Sequence, residues 1–255
     1  MTDYSLVCYD NVFVHSFVCN FFFLFHMFKK LICGKYNAKI SLERQVSEMT
    51  KHKPKHIGII PDGNRRWAKE HCMEKKDGYE YGLLPGVQLL RMAKASGIQE
   101  LTYYGFTVDN CKRPAEQFAA FQKACVNAVD LLKEEGADLL IIGNTESKCF
   151  PEQLLPYTKR TPINNGGIRL NFLVNYGWQW DLSHMQIDGK PYSSDISRVD
   201  LLIRWGGMQR LSGFLPLQSV YSDFYVIDHY WPDYQDTDFI NALEWYAKQD
   251  ITLGG

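Results

Sequence analysis

The sequence predicts a single α/β domain with a mainly parallel central sheet of about six strands, flanked by helices. Three observations support this fold class: short apolar runs recur along residues 55–255, helical patterns separate them, and Gly, Pro, Asn or Asp residues bound them. Strands that are apolar on both faces are typical of parallel sheets covered by helices. Alternating strands and helices also favour right-handed crossovers between parallel strands.

Six apolar runs are predicted to form the strands. The first run stops at Pro61, which marks the end of a buried strand. The later runs are bounded in the same way by turn-forming residues. The predicted strands are His56–Ile60, Glu100–Phe106, Asp138–Ile142, Arg169–Asn175, Asp200–Arg204 and Phe224–Ile227.

Helical patterns fill the intervals between these strands. The clearest helix is predicted for Ala115–Glu135, where Phe118, Phe121 and Leu132 recur near helical spacing and Gly136 is suited to end the helix. The other two predicted helices are Gly86–Ser96, with Pro85 near its start, and Asp236–Lys248.

Composition and charge restrict the function classes. The chain has 255 residues, 45% of them hydrophobic, and a formal net charge of −1. These values suit an ordinary globular protein and give no reason to expect a nucleic acid partner. The seven cysteines are odd in number and widely separated, without CxxC spacing, so neither a zinc site nor a disulfide framework is indicated. We therefore expect a reducing, cytoplasmic setting.

Residues 1–54 differ from the rest of the chain. The stretch from Val12 to Phe28 is almost entirely apolar but slightly shorter than the roughly 20 residues that cross a bilayer comfortably. Basic residues follow it. Three interpretations stay open: a segment that contacts a membrane, an extension upstream of a true start at Met27 or Met49, or an element of the domain. The main domain is expected to cover residues 55–255.

Three polar clusters directly follow predicted strands, at residues 62–66, 107–114 and 204–212. Ligands of open α/β sheets bind at the carboxyl ends of the strands, so we expect the clusters to converge in one pocket. A carboxylate such as Asp62 is suited to Mg²⁺, and arginine matches phosphate oxygens bidentately. The pattern therefore predicts a phosphate-ester or diphosphate site with Mg²⁺.

Each of these residues also has an ordinary structural interpretation. Asp62 could cap the following helix, and Arg204 and Arg210 could form surface ion pairs. Asp223 could be a cap or a strand-edge residue, and Trp67 is of a type found more often in the core than against a substrate. The predicted site thus depends on the joint order of the segments.

That order resembles the cis-prenyltransferase family, the undecaprenyl diphosphate synthase-like isoprenyl diphosphate synthases. The resemblance runs from about His56 to the C-terminus. The segments that carry it are Asp62-Gly63-Asn64 with Arg66-Trp67, Phe106 with Asn110 and Lys112-Arg113-Pro114, Asn175-Tyr176-Gly177, Arg204 with Gly207 and Arg210-Leu211-Ser212, and Tyr221-Ser222-Asp223-Phe224-Tyr225.

The resemblance implies an enzyme that condenses an allylic prenyl diphosphate with isopentenyl diphosphate and forms a new cis double bond. It implies catalytic roles for Asp62 and Asn110, and Mg²⁺ bound by Asp62 with Asp223 as a second ligand. It also implies a homodimer and an apolar tunnel for the growing chain, with the Ala115–Glu135 helix as a candidate wall. The substrate-binding residues it implies are Gly63, Asn64, Arg65, Arg66, Trp67, Lys75 and Arg113, with Arg204, Arg210 and Ser212 matching the second diphosphate site.

The sequence departs from the family pattern at several positions. Met208 replaces an acidic residue, and Arg65 replaces a glycine. Several features of the chain resemble a divergent branch that includes lavandulyl-type synthases, which couple prenyl units in an irregular, head-to-middle manner. They are Pro61-Asp62-Gly63 with Arg65-Arg66-Trp67, the Gly206-Gly207 pair and the Phe214-Leu215-Pro216-Leu217 run. The neutral Met208 would also change the charge of the second diphosphate site. Dimethylallyl diphosphate is therefore a candidate acceptor beside isopentenyl diphosphate. The terminal Arg-x-Gly pattern appears as Thr252-Leu253-Gly254, without its arginine, which keeps an alternative open: a non-catalytic partner subunit of a heteromeric cis-prenyltransferase.

Overall fold

The computed structural model describes residues 52–250, which form one seven-stranded sheet with helices between its strands. The expectations for the apolar N-terminal segment and for Thr252-Leu253-Gly254 lie outside these residues. The strands are β1 His56–Ile60, β2 Glu100–Tyr104, β3 Ala137–Ile142, β4 Thr161–Ile163, β5 Arg169–Leu173, β6 Leu201–Trp205 and β7 Asp223–Ile227. The α-helices are α1 Asn64–Glu70, α2 Gly78–Tyr81, α3 Leu83–Ala95, α4 Ala115–Glu134, α5 Trp178–Ser183, α6 Met185–Asp188 and α7 Asp236–Tyr246.

The strand order is β4-β3-β5-β2-β1-β6-β7, and all neighbouring strands are parallel except β4, which runs antiparallel to β3. The mainly parallel sheet and all six predicted strands are confirmed. The seventh strand, β4, was not predicted because it has only three residues and contains Pro162. Proline lacks a backbone N–H, and it suits the edge position that β4 occupies.

The three predicted helices are also present. Helix α3 begins at Leu83, earlier than expected, because Pro85 lies in its first turn, where the missing N–H leaves no intrahelical hydrogen bond unmade. Helix α4 matches its prediction to within one residue, and Gly136 follows it at φ +71°. Within residues 52–250, none of the helices combines the length and apolar character that crossing a bilayer requires.

A polar network lies inside the fold at the amino ends of the central strands. The His56 Nε2 atom is 2.8 Å from Thr102 Oγ1, and Asn171 Nδ2 donates to both Thr102 Oγ1 and Glu100 Oε1 at 2.8 Å. The His56 Nδ1 atom faces the backbone oxygen of Ser197 at 3.0 Å, so this nitrogen carries the proton. These bonds satisfy side chains that are almost fully buried.

Strand β1 lies at the centre of the sheet, between β2 and β6. Its side chains Ile57 and Ile59 are fully buried, as are Leu101 of β2 and Ile203 of β6. The carboxyl ends of these three strands are therefore neighbours. The three polar clusters predicted from the sequence leave the sheet at these ends, which sets the position of the candidate site.

Candidate functional site

The loops that follow β1, β2 and β6 enclose a pocket of about 630 Å³. Most of the side chains predicted for the site lie on its wall, although they come from distant parts of the sequence. The predicted residues that line the pocket are Asp62, Gly63, Asn64, Arg65, Arg66, Lys75, Asn110, Arg113, Arg204, Arg210 and Ser212.

Asp62 is one of the two carboxylates on the wall of this pocket. Its Oδ2 atom accepts a hydrogen bond from Arg204 Nη2 at 2.8 Å and lies 3.4 Å from Arg66 Nη2. Its Oδ1 atom accepts from the Gly63 N–H at 2.6 Å. Gly63 rather than Asp62 is the N-cap of α1, and the helix has no side-chain cap. The capping alternative for Asp62 is therefore wrong, and about one-third of its side chain stays exposed.

Arg204 connects the first and third loops from inside the protein. Its side chain is 4% exposed. While Nη2 binds Asp62, Nη1 donates to Ser212 Oγ at 2.9 Å and to the backbone oxygen of Arg210. A surface ion pair is thus the wrong description of Arg204. Arg210 is different, because its side chain is exposed at the mouth of the pocket.

The third loop, residues 206–213, has an unusual backbone. Gly206, Gly207 and Gly213 have φ values of +85°, +72° and +80°, and Ser212 has a φ of +51°. Arg66 Nη1 donates to the backbone oxygen of Gly206 at 3.0 Å. Left-handed backbone is readily adopted by glycine and is unfavourable for serine. The fold therefore imposes the Ser212 conformation from outside the loop.

Asn110 lies on the second loop, in the 3₁₀ turn Val108–Lys112. Its side-chain Oδ1 accepts from the Thr107 N–H at 2.9 Å. The neighbouring Cys111 Sγ donates to Asn175 Oδ1 at 3.2 Å. The second bond holds the turn against the residues that follow β5, and the first fixes the Asn110 side chain against the start of the turn. Together they set the position of Asn110 on the pocket wall.

A smaller apolar cavity of about 70 Å³ adjoins the polar pocket. Tyr79 and Phe121 line both cavities, and their ring centroids are 4.6 Å apart. Arg113 Nη1 donates to the Tyr79 hydroxyl at 2.8 Å, and its guanidinium lies 5.0 Å from the Phe121 ring centroid. Burial lowers the pKa of Arg113 from its ordinary value, although a guanidinium stays charged at neutral pH. Helix α4 also contributes Ala124, Cys125, Ala128 and Leu132 to the apolar wall.

The polar pocket is strongly cationic. Seven basic side chains line it, against two carboxylates. This imbalance suits a ligand with several negative charges, and most of the cations are arginines, which bind phosphate oxygens bidentately. The basic residues are Arg65, Arg66, Lys69, Lys75, Arg113, Arg204 and Arg210, and the acidic ones are Asp62 and Asp109.

The donor set fits Mg²⁺ that is bound together with a phosphate ligand. Mg²⁺ is commonly held by one or two carboxylates plus substrate phosphates and retained waters. Asp62 supplies one partly exposed carboxylate among the cations of the pocket. Within residues 52–250, no group of three His, Cys, Asp or Glu side chains is arranged as a metal site.

Two predicted residues lie elsewhere. Trp67 is buried, and its Nε1 donates to Asp233 Oδ1 at 2.7 Å, so this residue of α1 is packed against the protein and does not line the pocket. Asp223 is the first residue of β7, in register with Leu201. It lies at the amino end of the sheet, about 10 Å along the strands from the level of Arg204 at roughly 3.3 Å per residue. Within one chain, Asp62 and Asp223 therefore do not share a metal site.

The sequence pattern gave no place in the site to Tyr104 or Lys69, which also line the pocket. Thr107 and Asp109 line it too, and they were expected there only as members of the second polar cluster. Tyr104 is the last residue of β2. Only the pairing register of β2 with β1 would have placed it at the pocket. Lys69 lies on the helix that follows the first loop, five residues after Asn64. Helical periodicity alone does not distinguish such a position from a solvated one.

Several known proteins are similar to this chain over most of its length. Residues 60–254 match the family model described as putative undecaprenyl diphosphate synthase. The ditrans,polycis-undecaprenyl-diphosphate synthase ((2E,6E)-farnesyl-diphosphate specific) of Escherichia coli (strain K12) is 31% identical, with 85% of this chain and 96% of that protein covered. The isoprenyl transferase of Listeria monocytogenes is 31% identical, with 79% and 90% covered.

A solved structure also resembles the chain. It is the lavandulyl diphosphate synthase from Lavandula x intermedia in complex with dimethylallyl diphosphate, with a TM-score of 0.64 and 23% sequence identity. The match covers 83% of this chain and 100% of that chain. At this level of identity the likeness concerns the fold.

Proposed function

The chain belongs to the undecaprenyl diphosphate synthase family of cis-prenyltransferases, and we propose that it condenses an allylic prenyl diphosphate with isopentenyl diphosphate, head to tail and in the cis configuration. The observation that carries this proposal is the single cationic pocket in which Asp62, Asn110 and Arg113 lie with Arg204 and Ser212. Seven cations in one pocket provide for two diphosphates.

The residues of the pocket are proposed to have different roles in the reaction. Arg66 and Arg113 bind the allylic diphosphate, on which negative charge develops as the carbon–oxygen bond breaks. Guanidinium groups that are already in place stabilise this transition state more than the ground state, because little reorganisation is needed. Asp62 would hold Mg²⁺, which when bound supplies further neutralisation of the leaving diphosphate. Asn110 assists condensation or proton removal beside the reacting carbons.

The apolar cavity beside the polar pocket is proposed as the entry for the prenyl tail, and its volume of about 70 Å³ has to enlarge to hold a growing chain. Its wall consists of α4 side chains and the Tyr79–Phe121 pair. Burying an apolar chain there removes hydrocarbon surface from water, which favours binding. Because Tyr79 and Phe121 line both cavities, the tail enters next to the diphosphate group held by Arg113.

The second diphosphate site is proposed to accept either isopentenyl diphosphate or dimethylallyl diphosphate. Met208 lines the pocket next to Arg210, where the family pattern has an acidic residue. Loss of the acidic side chain changes the charge and shape of the site, and this change is proposed to let an allylic diphosphate bind where the homoallylic one does. Irregular, head-to-middle coupling is then a second reaction of the same pocket.

The test is an incubation of purified protein with Mg²⁺ and with labelled dimethylallyl and isopentenyl diphosphates, followed by mass spectrometry of the products. Linear cis chains are expected, with branched products when dimethylallyl diphosphate is supplied alone. Linear chains alone would contradict the irregular reaction. No condensation by this chain, but condensation after a second family member is added, would favour the partner-subunit alternative.

We further propose a homodimer. Strand β7 is an edge strand, and Leu217, Val220 and Tyr221 immediately before it are 46%, 63% and 56% exposed. Covering such apolar side chains with a second copy would remove them from water. Light scattering during size-exclusion chromatography measures the number of chains in the assembly, and a monomer would contradict the proposed dimer.

We also propose a cytoplasmic location, with peripheral membrane contact through residues 1–54. Fractionation of cells tests this proposal.

A further inference from the structure

Tyr104 connects the end of β2 to the third loop of the pocket. It is the last residue of the strand and is 8% exposed. Its hydroxyl donates to the backbone oxygen of Ser212 at 2.9 Å. Its ring also packs edge-on against Phe214, with 5.5 Å between the centroids. The tyrosine is thus anchored at both its ring and its hydroxyl.

Ser212 needs such support because its φ is +51°, a conformation that residues with a side chain rarely adopt. Two side chains hold it at different atoms. Tyr104 binds its backbone oxygen, and Arg204 Nη1 binds its Oγ at 2.9 Å. The next residue, Gly213, is so close to Trp178 that a Cβ atom there would lie 2.8 Å from the ring. The loop therefore has little room to adopt another shape.

We propose that Tyr104 is a positioning residue that fixes Ser212 and the loop of residues 206–213 for binding of the second diphosphate. The inference rests on the proposed function. Strand β2 leads directly into the loop that carries Asn110, so one strand end sets the position of both the second loop and the third. Tyr104 acts through Ser212 and not through contact with the reacting carbons.

The hydroxyl of Tyr104 can donate throughout the working pH range. Burial raises its pKa above the ordinary value of 10.0, Asp109 raises it further, and Arg204 opposes the rise. The Tyr104–Ser212 hydrogen bond is consequently independent of pH near neutrality, and its removal requires a substitution.

Tyr104→Phe tests the proposal, with Tyr103→Phe as a matched control. The neighbouring Tyr103 is 3% exposed and donates its hydroxyl to the backbone oxygen of Gly86 at 2.7 Å. Successive strand residues point to opposite faces, and Tyr103 lines the apolar cavity but not the polar pocket, so its substitution leaves the wall of the second diphosphate site unchanged. Each variant loses one buried hydrogen bond, so similar losses of thermal stability are expected. Only Tyr104→Phe should raise the KM for isopentenyl diphosphate, by about fivefold, the change that one hydrogen bond supports. Its KM for the allylic donor should change less than about twofold.

Two results would overturn the proposal: an unchanged KM for isopentenyl diphosphate in Tyr104→Phe, or an equal rise in Tyr103→Phe. If the wild-type protein forms no product, the proposed function has failed, but the positioning role can still be measured. Calorimetry with inorganic pyrophosphate should then show that Tyr104→Phe weakens binding about fivefold and that Tyr103→Phe does not. Equal affinity in all three proteins would contradict the role of Tyr104.

Discussion

At the scale of single residues, the contact between Asp62 and Arg204 joins the proposed metal ligand to the second diphosphate site. The guanidinium is 4% exposed and the carboxylate is 34% exposed. This ion pair is therefore intermediate between an exposed ion pair and a fully buried one. Replacing Asp62 therefore changes both the chemistry of the pocket and the environment of a buried charge.

We expect Asp62→Ala to lower the free energy of unfolding by about 1–3 kcal/mol, because it leaves the Arg204 guanidinium unpaired. Asp62→Asn keeps a hydrogen-bond acceptor and should lose less. Both variants should reduce kcat by at least about 100-fold, because neither supplies a carboxylate for Mg²⁺ or the leaving group. Urea unfolding and steady-state assays measure the two effects. An active Asp62→Asn enzyme would contradict the assigned role.

Cysteine reactivity should differ sharply within residues 52–250. Burial raises the pKa of Cys125 to about 12, and burial together with Cys149 raises that of Cys111 to about 12, whereas Cys72 is exposed. Since the thiolate is the reactive form, iodoacetamide at pH 8 should label Cys72 well before the other two. Peptide mass spectrometry at successive times checks the order, with unfolded protein as the control in which all react. Equally fast labelling of Cys125 in the folded protein would contradict its burial.

At the scale of the elements, apolar runs and turn residues were enough to predict six strands and three helices. Strand β4 was missed because three residues containing Pro162 have no recognisable period. The convergence of the three loops followed from the rule for parallel sheets. Residue type and family position, however, could not distinguish Trp67, which is buried against Asp233, from the side chains on the pocket wall.

Two further failures, at Asp223 and Tyr104, have one physical origin. Asp223 stands at the start of β7 and Tyr104 at the end of β2, and the level at which a residue lies along a sheet depends on pairing register. Register is set by contacts between distant strands, so the sequence of one segment does not contain it. Tyr104 therefore went unnoticed, and Asp223 was assigned to a site that its strand end does not reach within one chain.

The loop of residues 206–213 offers a matched pair of substitutions. Gly206 and Gly207 both have positive φ, so alanine at either position costs about 1–2 kcal/mol of stability. A Cβ on Gly206 would also lie 2.5 Å from Arg66 Nη2, whereas the nearest atom to one on Gly207 is 3.7 Å away. Gly206→Ala should therefore raise the KM for the allylic donor well above the value for Gly207→Ala. Equal values in steady-state assays would exclude a role for the Arg66–Gly206 contact.

At the scale of the whole molecule, the two ends of the sheet have different tasks. The carboxyl ends carry the pocket, and the amino ends carry the network around His56, Thr102 and Asn171. Burial lowers the pKa of His56 below its ordinary value of 6.5, although the Glu100 carboxylate opposes this. Protonation of His56 is thus disfavoured in the folded state.

The stability of the fold should consequently fall in mild acid. The unfolded chain binds a proton at His56 more readily than the folded protein does, so the contribution is present above about pH 6.5 and is lost as the pH falls toward the lowered value. Urea unfolding at several pH values measures the loss. His56→Gln should have a flatter dependence over the same range, and an unaltered slope in that variant would assign the loss to other groups.

The backbone of residues 206–213 is held by side chains from other parts of the chain. Tyr104 and Arg66 donate hydrogen bonds to its carbonyl oxygens, and Trp178 packs closely against Gly213. Replacing this loop alone with that of a relative, in order to change acceptor preference, would leave Tyr104, Arg66 and Trp178 unchanged. The residues that contact the loop therefore have to be replaced together with it. Natural divergence meets the same requirement, so new acceptor preferences in such proteins should arise through coordinated changes on three separate segments.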